Sequence, residues 1–217
     1  MKYELLQSTH IFKNFTENEI KNALTFLSAK ELSYKKGDTV IRLNSTISSF
    51  AILLKGQVQV GCDDINGDQM IMATVAPGEM FSESLAITKN PSSPIYAIAT
   101  EDSEILWLSA ELIRENRPKN LSESRIISNF LSAVALKCLS MNDRIQILSK
   151  KTIREKVIAY LSILSDNGRN NEVFVPLSRQ DMASYLGVER SALSRELSNM
   201  QKQGLLEISK QRFKILR

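Results

Sequence analysis

The sequence predicts an α+β protein in which an N-terminal antiparallel β-roll is followed by a long helix and a C-terminal winged helix-turn-helix. The prediction rests on short apolar runs between regularly spaced turns, on a long apolar repeat typical of paired helices, and on a helix–glycine–helix pattern before a basic hairpin. We divide the chain accordingly into a roll domain (1–118), a long helix (119–149) and a winged helix-turn-helix domain (150–217).

The composition is that of an ordinary globular protein. The 217 residues are 43% hydrophobic, which is enough for one sizeable domain and one small domain. No window offers the roughly 18 apolar residues that a membrane-spanning helix needs. The first residues also lack the basic segment and long apolar run of a secretory leader. We therefore expect a cytoplasmic protein without a membrane partner.

Residue types that bind metals are scarce. The cysteines are Cys62 and Cys138, and the histidine is His10. Cysteines so few and so far apart do not suggest a disulfide framework, an iron–sulfur cluster or a structural zinc site. We predict that both cysteines are buried free thiols, and that the protein uses no metal and no cofactor.

Charge is distributed unevenly along the chain. Residues 150–217 contain thirteen Lys or Arg against seven Asp or Glu, whereas residues 1–149 contain fifteen against seventeen. A basic terminal domain on a mildly acidic body is typical of proteins that bind nucleic acid, because Lys and Arg supply contacts to phosphates.

Residues 3–30 predict short helices, and residues 30–108 predict strands. Thr16 stands three residues before Glu19, which is the pattern of a helix capping box. The runs that we assign to strands include Phe50–Leu54, Gln57–Val60 and Ile95–Ala99. The turns that separate such runs are Lys36–Asp38, Lys55–Gly56, Asn66–Asp68 and Pro77–Glu79. A spacing of roughly 8 to 12 residues between turns is typical of an antiparallel barrel or roll.

After Pro118, apolar residues recur at alternating steps of four and three. This seam comprises Ile127, Leu131, Val134, Cys138, Met141, Ile145 and Leu148. Such a stripe allows a helix to pair lengthwise with a second copy in a two-fold dimer. We predict a dimer interface through Ile127, Leu131, Val134, Cys138, Met141 and Ile145. The alternative is that the stripe packs against the helix's own domain.

The remaining third begins with a helix from Lys151 to Leu164, which we expect to stop at Asp166–Gly168, and continues with a short strand at Glu172–Val175. A helix-turn-helix then spans roughly Ser178 to Gln203. Ser178 lies three residues before Asp181, a pattern that marks a helix start.

The interior of this motif has the residue sizes that a helix-turn-helix requires. Gly187 ends the first helix, and the second begins near Glu189. Ala183, Gly187 and Leu193 supply the close approach, the tight turn and the inward anchor that two steeply crossing helices need.

The second helix has one polar face that suits the DNA major groove. At about 100° per residue, this face covers an arc of about 140°. It comprises Arg190, Ser191, Ser194, Arg195 and Ser198, away from Leu193, Leu197 and Met200. Arginine binds guanine O6 and N7 bidentately, and serine is short enough to let the helix approach base edges. The alternative is a solvated charged face, which more often carries Lys and Glu.

A basic hairpin follows the second helix. Leu205–Ile208 and Phe213–Leu216 flank Ser209–Arg212, so that Lys210, Arg212 and Lys214 are candidates for phosphate contacts on a wing. The full set of predicted DNA-contacting residues is Arg179, Arg190, Ser191, Ser194, Arg195, Ser198, Lys210 and Arg212.

Over nearly its whole length the chain resembles the cyclic-AMP receptor protein and FNR superfamily of bacterial transcription regulators. The segments that carry the resemblance are Leu54–Val58, Pro77–Glu83, Glu101–Leu106 and the helix-turn-helix Leu177–Leu206. It implies an effector-sensing jelly roll like a cyclic-nucleotide-binding domain, a dimerisation helix, and base contacts at the positions of Arg190, Ser191, Ser194 and Arg195. Many relatives have Glu where this chain has Ser191 and an apolar residue where it has Glu196, so their half-site sequences do not transfer. The implied partners are palindromic double-stranded DNA, a second copy of the chain and RNA polymerase.

The resemblance also implies an effector pocket between the roll and the long helix. Its predicted residues are Phe81, Ser82, Glu83, Ser84, Ser93, Met141 and Asn142. Relatives that bind cyclic nucleotides have a Gly-Glu pair for the ribose and an Arg for the phosphate, where this chain has Ser82–Glu83 and Ser93. A buried phosphate without that cation costs on the order of several kcal/mol, so we expect no binding of cyclic AMP.

Other sensor chemistries of the family also lack their residues in this chain. An iron–sulfur sensor needs more cysteines, and a haem sensor needs a histidine placed elsewhere than His10. A small, mostly apolar or neutral organic effector, or no effector, remains.

The predicted function is that of a dimeric, sequence-specific transcription regulator, and there are two alternatives. Catalytic metals in similar barrels take two or three histidines, which this chain lacks, so we predict that it is not an enzyme. The second alternative is a ligand-sensing regulatory module that acts through protein contacts rather than DNA. It would not account for the face from Arg190 to Arg195.

Overall fold

The computed structural model describes residues 2–63, 69–88, 92–165 and 171–216, which form two compact units. The first unit is Met1–Ala135 and the second is Leu136–Arg217, so their boundary lies inside the long helix. The predicted turns at Asn66–Asp68 and Asp166–Gly168 lie outside the described residues. Within the described ranges, no helix is long and apolar enough to span a membrane.

The first unit begins with helices, as predicted. They are α1 (Lys2–Ser8), a 3-10 turn (His10–Phe12) and α2 (Glu17–Phe26). The Thr16 hydroxyl accepts from the Glu19 backbone N–H at 3.3 Å, and the Glu19 carboxylate accepts from the Thr16 N–H at 2.8 Å. The predicted capping box is therefore confirmed.

Antiparallel strands follow and form two four-stranded sheets. The strands are β1 (Lys30–Tyr34), β2 (Thr39–Ile41), β3 (Ser49–Lys55), β4 (Val58–Asp63), β5 (Gln69–Val75), β6 (Met80–Phe81), β7 (Tyr96–Ala99) and β8 (Ser103–Ser109). One sheet has the order β1-β8-β3-β6 and the other β2-β7-β4-β5, with antiparallel pairing in both. This confirms the predicted roll, in which β3, β4 and β7 are the strands named from the sequence.

Two hydrophobic clusters fill the first unit. One joins the N-terminal helices to the roll and to the start of the long helix, where the Phe50 and Phe130 rings lie 5.2 Å apart. The other lies between the sheets and includes Phe81 and Ile105. The short helices α3 (Glu83–Thr88) and α4 (Glu111–Glu115) were not predicted, because six and five residues show too little periodicity.

The long helix is α5 (Leu121–Leu148), close to the predicted bounds. Its first turns pack against the roll through Ile126 and Phe130, and Ile127 belongs to the same cluster with 7% exposure. Further along, from Ala135 to Asn142, every side chain is exposed. The seam is therefore divided, because its first residue lies in the core of the unit whereas most of the others face outward.

The prediction that both cysteines are buried is wrong. Cys138 is exposed and Cys62 is partly exposed. Cys138 occupies a seam position on the stretch of α5 that no described residue covers. Free cysteines are often buried because they pack as small hydrophobic side chains in the core of a folded chain. Cys138 lies outside that core.

The second unit is a winged helix-turn-helix, which confirms the predicted fold of this part. After the end of α5 it contains α6 (Ile153–Leu164), β9 (Glu172–Phe174), α7 (Arg179–Leu186), α8 (Arg190–Lys202), β10 (Leu206–Ser209) and β11 (Arg212–Ile215). The strands form an antiparallel sheet in the order β10-β11-β9. Ile147 of α5 and Phe213 of the wing are fully buried in the core of this unit.

Candidate nucleic-acid interface

The turn between α7 and α8 depends on a cap and a glycine. The Ser178 hydroxyl accepts from the Asp181 N–H at 3.1 Å, which starts α7 as predicted. Gly187 then adopts a left-handed conformation with φ of 61° and ends α7. A Cβ at Gly187 would lie 3.0 Å from Leu148 Cδ2, so glycine is favoured by space as well as by conformation.

The recognition helix α8 docks by its apolar side. Leu193, Leu197 and Met200 are buried in the core of the second unit. The small Ala183 of α7 is buried in the same cluster, which permits the close approach of the two helices. The apolar face of α8 therefore determines which residues turn outward.

The outward face of α8 contains the side chains that the sequence predicts as base contacts. All of them are exposed: Arg190, Ser191, Ser194, Arg195 and Ser198. Within the described part of the chain, neither Arg190 nor Arg195 has an ion pair or hydrogen bond through its guanidinium. The Ser198 hydroxyl donates to the Ser194 carbonyl at 3.0 Å. This face therefore presents two guanidinium groups and short hydroxyls to the outside.

The wing is the hairpin β10–β11, and its tip is basic. Lys210 lies in the turn with a positive φ of 56° and an exposed side chain. Arg212 is also exposed, and its guanidinium lies 3.4 Å from the Glu172 carboxylate of β9. An exposed pair at this distance is weak, so the side chain of Arg212 is not held away from a phosphate.

Arg179 differs from the other predicted DNA contacts. It is only partly exposed, its guanidinium lies 4.9 Å from the centre of the Phe213 ring, and it donates to the Lys210 carbonyl at 3.4 Å. Burial lowers the pKa of Arg179 from its usual range. In this structure Arg179 links the start of α7 to the wing, and its role as a phosphate contact stays a prediction.

Two cations of α6 that were not predicted as site residues hold the helix-turn-helix. The Lys156 ammonium donates to the Leu186 carbonyl at the end of α7, at 3.1 Å. Arg154 Nε donates to Glu196 of α8 at 2.7 Å. These partners lie 30 and 42 residues apart in sequence, so no local pattern reveals them.

The predicted effector residues of the first unit are partly engaged with the backbone. Phe81, Ser82 and Glu83 are buried, whereas Ser84 is exposed on α3. Ser93 is also buried, and its hydroxyl donates to the Ile95 carbonyl at 2.8 Å. Ser93 therefore stabilises a turn, and a ligand would have to compete for its hydroxyl.

The other predicted effector residues, Met141 and Asn142, belong to the second unit and are exposed on α5. Two surface cavities of the first unit have volumes of about 370 and 250 Å³. One is lined by Ile87, Glu111, Ile113, Arg114 and Glu115, and the other by Ser33, Tyr34, Lys35, Lys55, Asp102, Ser103 and Glu104. Neither contains the predicted effector residues of the roll. Across the described ranges, no group of three His, Cys, Asp or Glu side chains is placed to hold a metal ion.

Comparison with known families matches each unit separately. The cyclic nucleotide-binding domain family matches residues 31–116, which contain β2–β8 and all of β1 except its first residue. The Crp-like helix-turn-helix domain family matches residues 155–217, which contain most of α6 and all of the recognition helix and wing. The order of the two matches is the order of the two units.

Similar proteins match this chain across both units. The nitrogen fixation regulation protein FixK of Bradyrhizobium diazoefficiens is 25% identical over 185 residues, covering 82% of this chain and 75% of that protein. The transcriptional activator protein FnrA of Stutzerimonas stutzeri is 27% identical over 192 residues, covering 84% and 75%. The crystal structure of DNR from Pseudomonas aeruginosa shares the fold, with a TM-score of 0.53, 22% identity, and 99% of this chain and 93% of that one covered. The chain belongs to the Crp/Fnr superfamily of DNA-binding transcription regulators.

Proposed function

We propose that this regulator binds palindromic DNA as a homodimer and reads base edges chiefly through Arg190 and Arg195 of α8. The observation that carries the proposal is the pair of exposed guanidinium groups on the outward face, which have no partner among the described residues. A guanidinium can offer both donors to guanine O6 and N7, and each such contact provides about 1–3 kcal/mol of base discrimination.

The wing and the serines complete this interface. Lys210 and Arg212 extend the basic surface beyond α8, where phosphates of the duplex would pass. Phosphate contacts provide affinity that does not depend on sequence, and they fix the register of the protein on the duplex. Ser191, Ser194 and Ser198 keep the outward face shallow between the arginines, so that α8 can enter the groove.

A second copy of the chain is proposed to cover the seam on α5. Leu131, Met141 and Ile145 are 61%, 58% and 62% exposed. Leu131 to Leu148 spans about 25 Å of helix at the usual rise per residue. A stripe of this length and composition is costly in water and suits a two-fold helix pair. Ile127 is buried in the core of the first unit and is therefore not available to a partner. The proposed interface consists of Leu131, Cys138, Met141, Ile145 and Leu148, with Val134 at its edge.

Two-fold symmetry of the protein implies two-fold symmetry of the DNA site. Each α8 reads one half-site, and the half-sites are expected about one helical turn apart, roughly 34–36 Å. RNA polymerase is the proposed downstream partner at promoters that contain such a site.

Selection from random duplex DNA tests this function. Fragments retained by the full-length protein are sequenced after several rounds. The proposal predicts one recurring palindrome, enriched over background. Recovery of fragments without a common motif would contradict it, and would favour a regulatory module that acts through protein contacts.

We further propose that a small, mostly apolar or neutral effector, rather than cyclic AMP, controls the dimer. The position that holds an arginine in nucleotide-binding relatives is Ser93 here, and its hydroxyl hydrogen bond is to a backbone carbonyl. A cyclic phosphate would therefore be buried without a cation, at a cost on the order of several kcal/mol. The proposed contact of the effector within the roll is Ser93.

Calorimetry tests the exclusion of cyclic AMP. We expect no heat of binding at micromolar cyclic AMP, because no cation at position 93 compensates the phosphate. The variant Ser93→Arg is the matched comparison, since it restores the cation. Tight binding of cyclic AMP by the wild-type protein, together with a rise in DNA affinity, would overturn this proposal.

A further inference from the structure

We infer that Glu196 is a positioning residue for base recognition: its ion pair with Arg154 fixes the rotation of α8 and so determines which base Arg195 selects. The inference rests on the proposed function, because it requires that α8 reads the DNA. Neither Glu196 nor Arg154 is expected to contact DNA, so both would act on specificity through the placement of α8.

The contact itself is well defined. Arg154 Nε donates to Glu196 Oε1 at 2.7 Å, and the two side chains are 37% and 21% exposed. Partial burial and a short, charge-assisted hydrogen bond distinguish this pair from the exposed pairs on the wing. It is a directional link between α6 and the recognition helix.

Apolar docking determines which face of α8 turns outward, but it sets the exact rotation of the helix about its axis only coarsely. Leu193, Leu197 and Met200 pack into the core, but hydrophobic contact has no preferred direction. Glu196 lies at the edge of this apolar side, next to Leu197 in sequence. A hydrogen bond at the edge of the packed face resists rotation, because its geometry tolerates little change in length.

The first turn of α6, which contains Arg154, is stabilised by a capping box. Thr152 caps α6, and its hydroxyl accepts from the Glu155 N–H at 3.1 Å. The Glu155 carboxylate accepts in return from the Thr152 N–H at 3.0 Å. Two residues after Arg154, Lys156 donates to the end of α7. The first turn of α6 therefore holds one helix of the motif through Lys156 and the other through Arg154.

A small rotation of α8 is enough to change base recognition. Side-chain atoms lie about 6 Å from a helix axis, so a rotation of roughly 15° moves them by about 1.5 Å. Hydrogen bonds to bases form only over about 2.7–3.2 Å. A rotation of α8 moves Arg190 and Arg195 together and leaves the wing hairpin in place, so loss of the Glu196 link acts on the base contacts of the two arginines rather than on the phosphate contacts of the wing.

Comparison of base preferences tests the inference. The palindrome that the wild-type protein selects is changed symmetrically, one position at a time, and affinities are measured at a fixed salt concentration. The variants are Glu196→Ala, Arg154→Ala, their double variant, and Glu196→Gln, whose amide oxygen can still accept from Arg154. The charge control is Glu207→Gln on the wing, where the carboxylate lies 3.5 Å from Lys214 in an exposed pair. Thermal unfolding of each variant reports on stability.

The expected effect is confined to the symmetric positions that Arg190 and Arg195 read. The wild-type protein should prefer its bases there by about 5- to 150-fold for each half-site. Glu196→Ala and Arg154→Ala should each reduce that preference at least about fivefold, the double variant no further than either single one, and Glu196→Gln should retain most of it. Glu207→Gln should shift all affinities together and keep their ranking.

Two outcomes would overturn the inference. One is an Ala variant that keeps the wild-type ranking, and the other is a uniform loss of affinity that follows the loss of thermal stability. A wild-type protein that selects no palindrome would instead refute the proposed function, and the inference with it.

Discussion

Truncation of the exposed seam should dissociate the dimer without unfolding its subunits. Leu131 and Ile145 are 61% and 62% exposed, so neither side chain is needed in the core of its own unit. Full burial of Leu or Ile stabilises by about 1.5–3 kcal/mol, and about three-fifths of that is available at a helix pair. Each dimer has two copies of both residues. Leu131→Ala with Ile145→Ala should therefore weaken the dimer by about 4–7 kcal/mol, which raises its Kd about 10³- to 10⁵-fold.

Sedimentation over a range of protein concentrations measures this change. The control is Leu136→Ala, which truncates an apolar side chain that is 46% exposed on the opposite side of α5 from Ile145. That variant should remain dimeric. Mild oxidation gives a second measure, because Cys138 lies on the seam and should form a cross-linked dimer that Cys138→Ser loses and Cys62→Ser keeps. An unchanged dimer in the double Ala variant would refute the seam as the interface.

Further predictions concern stability. Gly187→Ala should lower the free energy of unfolding by about 1–2 kcal/mol, because it strains the left-handed backbone and its new Cβ would lie 3.0 Å from Leu148. The control is Gly204→Ala, which has a φ of +70° but open space around it and should therefore cost less. Equal losses for the two variants in denaturant titration would contradict the effect of crowding. Burial raises the pKa of Tyr160 from 10.0 to about 12, so its contribution to stability is complete below pH 10 and is lost as the pH rises toward 12. Tyr160→Phe should flatten alkaline unfolding there, and a curve as steep as that of the wild-type protein would exclude the phenol as the cause. Hydrogen bonds to the Glu19 carboxylate, led by that of the capping backbone N–H, lower its pKa from 4.5 to about 2, so the stability it provides is lost as the pH falls from 4.5 toward 2. Glu19→Gln should make acid unfolding less steep, and unchanged acid sensitivity would count against this carboxylate.

Features that depend on neighbours in sequence were predictable. The capping residues Thr16 and Ser178 and the turn at Gly187 act within a few residues, so their patterns determine helix starts and ends directly. The polar face of α8 was predictable for the same reason, because helix periodicity places Arg190 and Arg195 together once the helix is known.

Features that depend on tertiary packing were not predictable. The seam has the same spacing at Ile127 as at Leu131, yet the roll buries the first and leaves the second exposed. Periodicity identifies a helix face but not the surface that covers it. The contacts of Arg154, Arg179 and Glu196 likewise join residues that lie dozens of positions apart, so only the fold reveals them.

The central claim is that α8 reads base edges through its arginines while the wing binds the phosphate backbone. Affinities of Arg195→Ala and Lys210→Ala, measured on the selected palindrome and its single-position variants at several salt concentrations, test this most directly. Arg195→Ala should lose discrimination at one symmetric pair of positions, by about 1–3 kcal/mol for each half-site. Lys210→Ala should weaken all sequences alike and reduce the salt slope by about one. Full retention of sequence preference by Arg195→Ala would contradict the account.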